Sequence, residues 1–236
     1  LKSVLSPYYE IYTSGDGEDG INKAISLIPD LIISDVMMPV KDGYALCDTL
    51  KNDYKTNHIP IILLTARVDE DSRITGYQKG ADAYISKPFQ PKELLIRIEK
   101  MIEQREKLKL KYSMSPFHHE KERNHFATLD EMFISEVMDH LEKNYTEEDF
   151  GIDQLCNAMK ISRVQLHRKL TAITGLSASH FINQFRVEKA VKLLSSTRKT
   201  VAEIGFDVGF HDANYFSRVF TKVKGMSPGD FRKQKQ

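Results

Sequence analysis

Three residues of this 236-residue chain are of the types that handle a phosphoryl group, and each closes or follows an apolar run: Asp35, Thr65 and Lys87. A carboxylate can act as a nucleophile and hold a phosphoryl group as an acyl phosphate. A hydroxyl can donate to a phosphoryl oxygen, and an ammonium can neutralise its charge. Singly, each is also what a strand end shows to water. Their recurrence after three separate apolar runs favours a shared site.

The elements leading into these residues decide whether they can converge. Leu31-Ile32-Ile33 runs through Ser34 into Asp35, and Ile59–Leu64 runs into Thr65. Apolar runs without alternation indicate strands buried on both faces, hence a parallel sheet covered by helices. Ala83–Ser86 reads as a further short strand before Lys87, and Glu10–Thr13 as another. Helical spacing fills the intervals. Ile21, Ala24, Ile25 and Ile28 share one face of Asp19–Ile28; Gly43–Lys51 follows, then Asp69–Lys79, stopped by Gly80. Pro91 opens a long helix toward Leu110. This alternation predicts a doubly wound α/β fold, in which sites form beyond the carboxyl ends of the strands.

On these residues, 1–110 resembles a response-regulator receiver domain of flavodoxin-like fold. The segment Asp35-Val36-Met37-Met38-Pro39-Val40-Lys41-Asp42-Gly43 is similar to the phosphoacceptor loop of that family, Thr65-Ala66 to its switch hydroxyl and small neighbour, and Lys87-Pro88 to its lysine–proline pair. The resemblance implies that Asp35 accepts phosphate from a histidine kinase phosphodonor domain and that Thr65, Tyr84 and Lys87 respond. It implies a cis Lys87–Pro88 bond, and Mg²⁺ held by Asp35 and the backbone carbonyl of Met37. The acidic pair that the family carries after its first strand does not occur here, and Leu1–Leu5 reads like the end of the first helix. The expectation is a receiver truncated at its N-terminus, with its first strand missing, an incomplete Mg²⁺ site and impaired phosphorylation.

Composition separates this acidic body from a basic end. Residues 1–149 hold 19 Lys and Arg against 27 Asp and Glu, whereas residues 150–236 hold 15 against 6. A net charge of +1 therefore hides about −8 joined to +9, and a basic end suggests a polyanion. No apolar run approaches the ~18 residues of a membrane span, and no signal peptide opens the chain. Cys47 and Cys156 lie far apart inside helical patterns and read as small buried residues in a cytoplasmic protein. Residues 111–128 have little apolar periodicity and read as a linker. Its His118, His119 and His125 lack a companion metal-ligand pattern and read as solvated.

The basic end contains an internal repeat. At an offset of 50, Leu166, Arg168, Leu170, Gly175, Ser177 and Phe181 match Phe216, Arg218, Phe220, Gly225, Ser227 and Phe231. Upstream the offset is 49: Ile152, Leu155, Met159 and Ile161 match Val201, Ile204, Val208 and Phe210. One residue enters at the turn. Each copy reads as a short helix with an internal small residue (Ala158, Gly205), a turn, and a second helix capped near Ser162 or Asp212. Two helix-turn-helix units, near 150–174 and 200–224, explain the pattern. Between them Ala178–Leu194 has helical spacing and would span ~25 Å, a spacer able to place two reading helices in successive major-groove segments.

Residues 129–236 resemble the all-α AraC/XylS DNA-binding domain. The resemblance rests on Val201-Ala202-Glu203-Ile204-Gly205-Phe206-Asp207-Val208-Gly209-Phe210, then Tyr215–Phe220, then Gly225–Arg232, with Leu129–Asn144 as the leading helix. By position it implies that Arg163, Val164, His167 and Arg168 read double-stranded DNA in the first unit, and Asp212, Asn214 and Arg218 in the second. Lys169, Lys222 and Lys224 are expected on phosphate, and Tyr215 and Phe216 in the core. Together the two resemblances imply a phosphorylation-controlled, sequence-specific transcription regulator, homodimeric and working with RNA polymerase. It would be non-enzymatic in itself and the C-terminal output part of an inner-membrane hybrid histidine kinase or a free regulator. The alternative is a receiver that acts as a phosphate-independent docking or dimerisation module.

Overall fold

The computed structural model describes residues 1–66, 80–114 and 128–235. The chain divides into two compact units, Leu1–Ser115 with Ala172–Gly175 and Pro116–Thr171 with Leu176–Gln236. The expected helix Asp69–Lys79 and the linker histidines His118, His119 and His125 lie outside the described residues.

The first unit runs α1 (Lys2–Leu5), α2 (Gly17–Leu27), β1 (Ile32–Asp35), α3 (Gly43–Asn52), β2 (Ile61–Thr65), β3 (Ala83–Ser86) and α4 (Pro91–Met114). The strands form a parallel sheet in the order β1-β2-β3. Every residue of β2 is buried, which explains its unbroken apolar run. Its side chains alternate between layers. Ile61 and Leu63 join Ile21, Ala24, Leu46, Cys47 and Leu50 of α2 and α3. Ile62 and Leu64 join Leu94, Ile98 and Met101 of α4. Helices thus cover both faces of the sheet. Asp16 and Asp42 cap α2 and α3, accepting from the backbone N–H of Asp19 and Ala45 at 2.8 and 2.7 Å.

Glu10–Thr13, expected as a strand, is not one. A strand needs a ladder partner for its backbone groups, and β1 pairs only with β2 among the described residues. Ile11, the apolar residue behind that expectation, packs into the layer formed with α4 instead.

The second unit is helical: α5 (Leu129–Asn144), α6 (Ile152–Met159), α7 (Arg163–Thr174), α8 (Ala178–Ser196), α9 (Val201–Asp207), α10 (Ala213–Lys224) and α11 (Pro228–Lys235). The helix starts are written in the sequence. Thr128 with Glu131 and Thr200 with Glu203 form reciprocal capping boxes, while Ser162 and Gln165 exchange the same pair of bonds at 3.2 and 2.9 Å. Phe210, Phe216 and Phe220 build the core of the second repeat with Val187, Ala190 and Leu194 of α8. The small residue inside the first short helix needs correction. Ala158 is exposed; at the repeat offset, Gly205 corresponds to Cys156, and both of these are buried.

One buried charge organises this unit. Arg186 of α8 is 6% exposed. Its Nε–H donates to the carbonyl of Tyr145 at 3.1 Å, and its Nη2 donates to the carbonyls of Glu147 and Phe150 at 2.9 Å each. The guanidinium thereby satisfies three carbonyls of the turn between α5 and α6. Burial lowers its pKa from the usual arginine value.

Candidate phosphoryl site and nucleic-acid interface

The sheet register brings the three chemically suggestive residues to one end. Asp35 ends β1 opposite Leu64, Thr65 ends β2 opposite Ser86, and Lys87 follows β3. The backbone N–H of Lys87 donates to the Thr65 carbonyl at 2.7 Å. The Lys87 ammonium is bonded to Oδ2 of Asp35 across 52 positions of sequence. The Asp35 Oδ1 accepts from the Met37 N–H at 3.2 Å. The Lys87–Pro88 peptide is cis, as the resemblance implied. Gly43 is required where α3 starts: a Cβ there would lie 2.3 Å from the Asp35 carbonyl oxygen. The close approach of this helix start to the strand end needs a residue without a side chain.

Around this end, Thr65 is buried and Tyr84 is half-buried against the layer formed with α2 and α3. Met37 and Val40 are each 80% exposed, and Val40 sits in the left-handed region at φ 65. Mg²⁺ demands near-octahedral oxygen coordination. Asp35 and the Met37 carbonyl are the only ligands expected of this chain, and both carboxylate oxygens of Asp35 are engaged. No cluster of three or more metal-binding side chains occurs among the described residues. The described residues do not by themselves fit the ion.

The helical unit sorts its candidate residues by helical phase. On α7, Leu166 and Leu170 face inward, whereas Arg163, Val164, His167 and Arg168 lie outward. On α10, Phe216 and Phe220 face inward, and Asn214, Tyr215, Arg218 and Lys222 outward. The Arg218 guanidinium lies over the Tyr215 ring at 5.9 Å, and the Tyr215 hydroxyl accepts from Asn183 of α8 at 3.1 Å. Phe216 is core as expected; Tyr215 is 44% exposed and belongs to the outer face.

Three expectations change. Lys169 is 2% exposed, close to Asp130 at 3.6 Å and over the Phe133 ring at 4.6 Å. It points into the α5 packing and is not placed to meet a phosphate. Lys224 pairs with Glu188 at 2.6 Å, which leaves Lys222 as the expected phosphate contact without an ion pair among the described residues. Asp212 caps α10, its Oδ1 accepting from the Tyr215 N–H at 2.6 Å, so a structural bond competes with any base contact. One feature escaped the sequence reading altogether. Arg163 is bonded through Nε and Nη2 to both carboxylate oxygens of Asp153, on the first turn of α6. That pair holds the Asp153 carboxyl below its ordinary pKa. Both cysteines are buried, and neither forms a disulfide. Burial pushes the Cys47 thiol up to about 11, so neither observation points to a reactive thiol. No described helix is long and apolar enough to cross a membrane.

With this geometry in place, the comparisons with known proteins are specific. Residues 1–99 match the family described as the response regulator receiver domain, and residues 155–234 match a helix-turn-helix domain family. Histidine kinase P4 of Formosa agariphila is 34% identical over 98% of this chain, which corresponds to 17% of that protein. The DNA-binding dual master transcriptional regulator RpaA of Synechocystis is 36% identical over 42% of this chain and 42% of its own length. The chain thus spans less than half of either relative. The C-terminal domain of AraT, a response regulator from Geobacillus stearothermophilus, is a solved structure 30% identical over 42% of this chain and 83% of that one, with a TM-score of 0.40. The chain carries a response regulator receiver domain, residues 1–99, followed by an AraC-type helix-turn-helix domain, residues 155–234.

Proposed function

We propose that this chain is the phosphorylation-controlled DNA-binding output of a two-component phosphorelay, with Asp35 as phosphoacceptor and α7 and α10 as reading helices. The observation that carries the reading is the bond from the Lys87 ammonium to the Asp35 carboxylate at the sheet end where Thr65 closes β2. The receiver spans residues 1–110 and the DNA-binding domain 129–236. A carboxylate oxygen of Asp35 attacks the phosphorus of a phosphohistidine; the P–N bond breaks, its electron pair stays with the imidazole, and an acyl phosphate forms. Lys87 then pairs with a phosphoryl oxygen, and the Thr65 hydroxyl donates to another. Tyr84 responds to the new charge. A local charge change thereby biases a two-state element, with homodimerisation and RNA polymerase contact as its readout. Similarity to Histidine kinase P4 across nearly the whole chain supports a place at the output end of a hybrid kinase. In that setting the chain works on the cytoplasmic side of an anchored sensor.

The reading is tested on the chain supplied with a first receiver strand and its acidic pair, by treating it with acetyl phosphate and Mg²⁺, resolving the acyl phosphate on a phosphate-affinity gel, and measuring affinity for a duplex selected from a random library. The expected result is a label that Asp35→Asn abolishes, together with a label-dependent change in DNA affinity or self-association. Labelling elsewhere overturns it. Asp35 is the one carboxylate at the strand ends among the described residues, which favours a second reading, a phosphate-independent docking module. Equal DNA binding and self-association in wild type and Asp35→Asn, with and without phosphodonor, select that reading.

A further inference from the structure

We propose that Asp153 is a specificity-positioning residue: it holds the Arg163 guanidinium so that its free end is presented to one guanine. The inference rests on the reading of α7 as a base-reading helix. Arginine has five N–H donors in a planar fork. The Asp153 carboxylate takes the Nε edge, Oδ1 accepting from Nε and Oδ2 from Nη2. Three donors remain, two on Nη1 and one on Nη2. They form the end of the fork that pairs with the O6 and N7 acceptors of guanine in the major groove.

The placement supports this division of labour. Arg163 opens α7, and the N-terminal residues of a reading helix are those that meet base edges. Both partners are accessible, with side-chain exposures of 67% and 56%, so the pair is not buried structure. A cation at a helix N-terminus gains nothing from the helix dipole, and a lone arginine there would roam. Asp153 cannot roam far, because its backbone is fixed in the first turn of α6 beside Gly151, whose N–H is capped by Gln154 at 3.0 Å.

The fold does not require the pair. At the repeat offsets, Asp153 corresponds to Ala202 and Arg163 to Ala213, and the second unit forms its helix-turn-helix without them. An acidic side chain on a face that meets a polyanion weakens binding to every duplex. Orienting one guanidinium toward one base is the gain that offsets this cost.

The test uses the full chain and a duplex selected by it from a random library. Affinity is measured for that duplex and for variants at each position, at fixed salt, with thermal melts as a control on folding. Arg163→Ala identifies the base pair whose discrimination is lost. Asp153→Ala is expected to lower discrimination at that same base pair on the order of tenfold, the scale of one bidentate arginine–base contact. Asp153→Asn, which keeps one acceptor, should fall between. The Asp153→Ala, Arg163→Ala double variant should lose no more discrimination at that position than Arg163→Ala alone. If Asp153→Ala instead tightens binding to all duplexes equally and leaves discrimination intact, the carboxylate merely screens charge and the proposal is wrong. A wild-type chain that selects no sequence would sink the DNA-reading function itself, a separate and visible failure.

Discussion

The two helix-turn-helix units solve the same local problems with different residues. Each turn needs a left-handed residue: Lys160 at φ 52 in the first unit, Gly209 at φ 84 in the second. These positions correspond at the repeat offset. In the first unit the side chain remains and the backbone bears the strain; in the second there is no room for one, since a Cβ on Gly209 would lie 2.2 Å from the Tyr145 carbonyl oxygen and 2.8 Å from the Arg186 guanidinium. The proposed reading helices differ as well. The first places an ion-paired arginine, Arg163, at its start; the second holds Arg218 against an aromatic ring that is itself tethered to α8. Tight packing around the buried guanidinium belongs to the second unit, and adjustable surface chemistry to the first.

The largest expected effect tests that packing. Arg186→Ala removes the partner of three carbonyls, one in a buried bond and two in part-buried ones, and should cost about 3 kcal/mol or more, since a hydrogen bond to a charged group contributes ~1.5–3 kcal/mol; urea unfolding of the whole chain reads it. A loss below ~1 kcal/mol would mean that water replaces the guanidinium easily. Gly209→Ala should follow, at roughly 2 kcal/mol or more from backbone strain plus the close contact with the Tyr145 carbonyl. DNA binding supplies the next. Arg218→Ala and Arg168→Ala should each weaken specific binding by ~1–3 kcal/mol and relax discrimination at different base pairs. Loss of discrimination at one shared position would contradict two separate reading helices. The smallest effect has the opposite sign. Lys160→Gly relieves a left-handed lysine and should raise stability by no more than ~1 kcal/mol, because glycine's larger unfolded-state entropy offsets part of the gain. A destabilised Lys160→Gly would show that the lysine side chain contributes packing that its geometry does not suggest.

Much of this was legible in the sequence, for physical reasons. Burial on both faces wrote β2 as an unbroken apolar run, and the strand-end chemistry followed from where such runs stop. The repeat was visible because equivalent core positions keep their apolar character through Leu166 and Phe216 or Leu170 and Phe220. What stayed hidden depends on partners distant in sequence. Arg186 reads as a solvated charge on a helix until the α5–α6 turn folds over it. Lys169 reads as a basic surface residue until α5 covers it. The Asp153–Arg163 pair links two helices ten positions apart, which no single helical period connects. Glu10–Thr13 had the composition of a strand but no strand to pair with among the described residues.

Lys169 has one more implication. Its ammonium lies beside Asp130 and above Phe133 on the opening turns of α5, whereas the corresponding residue of α10 is the apolar Val219. The proposed first reading helix, α7, is therefore anchored by a directional, polar contact to α5, as a crank is pinned to its shaft. A tilt of the opening turn of α5 would strain that pin, so the aim of α7, the proposed first reading helix, is tied to the placement of α5.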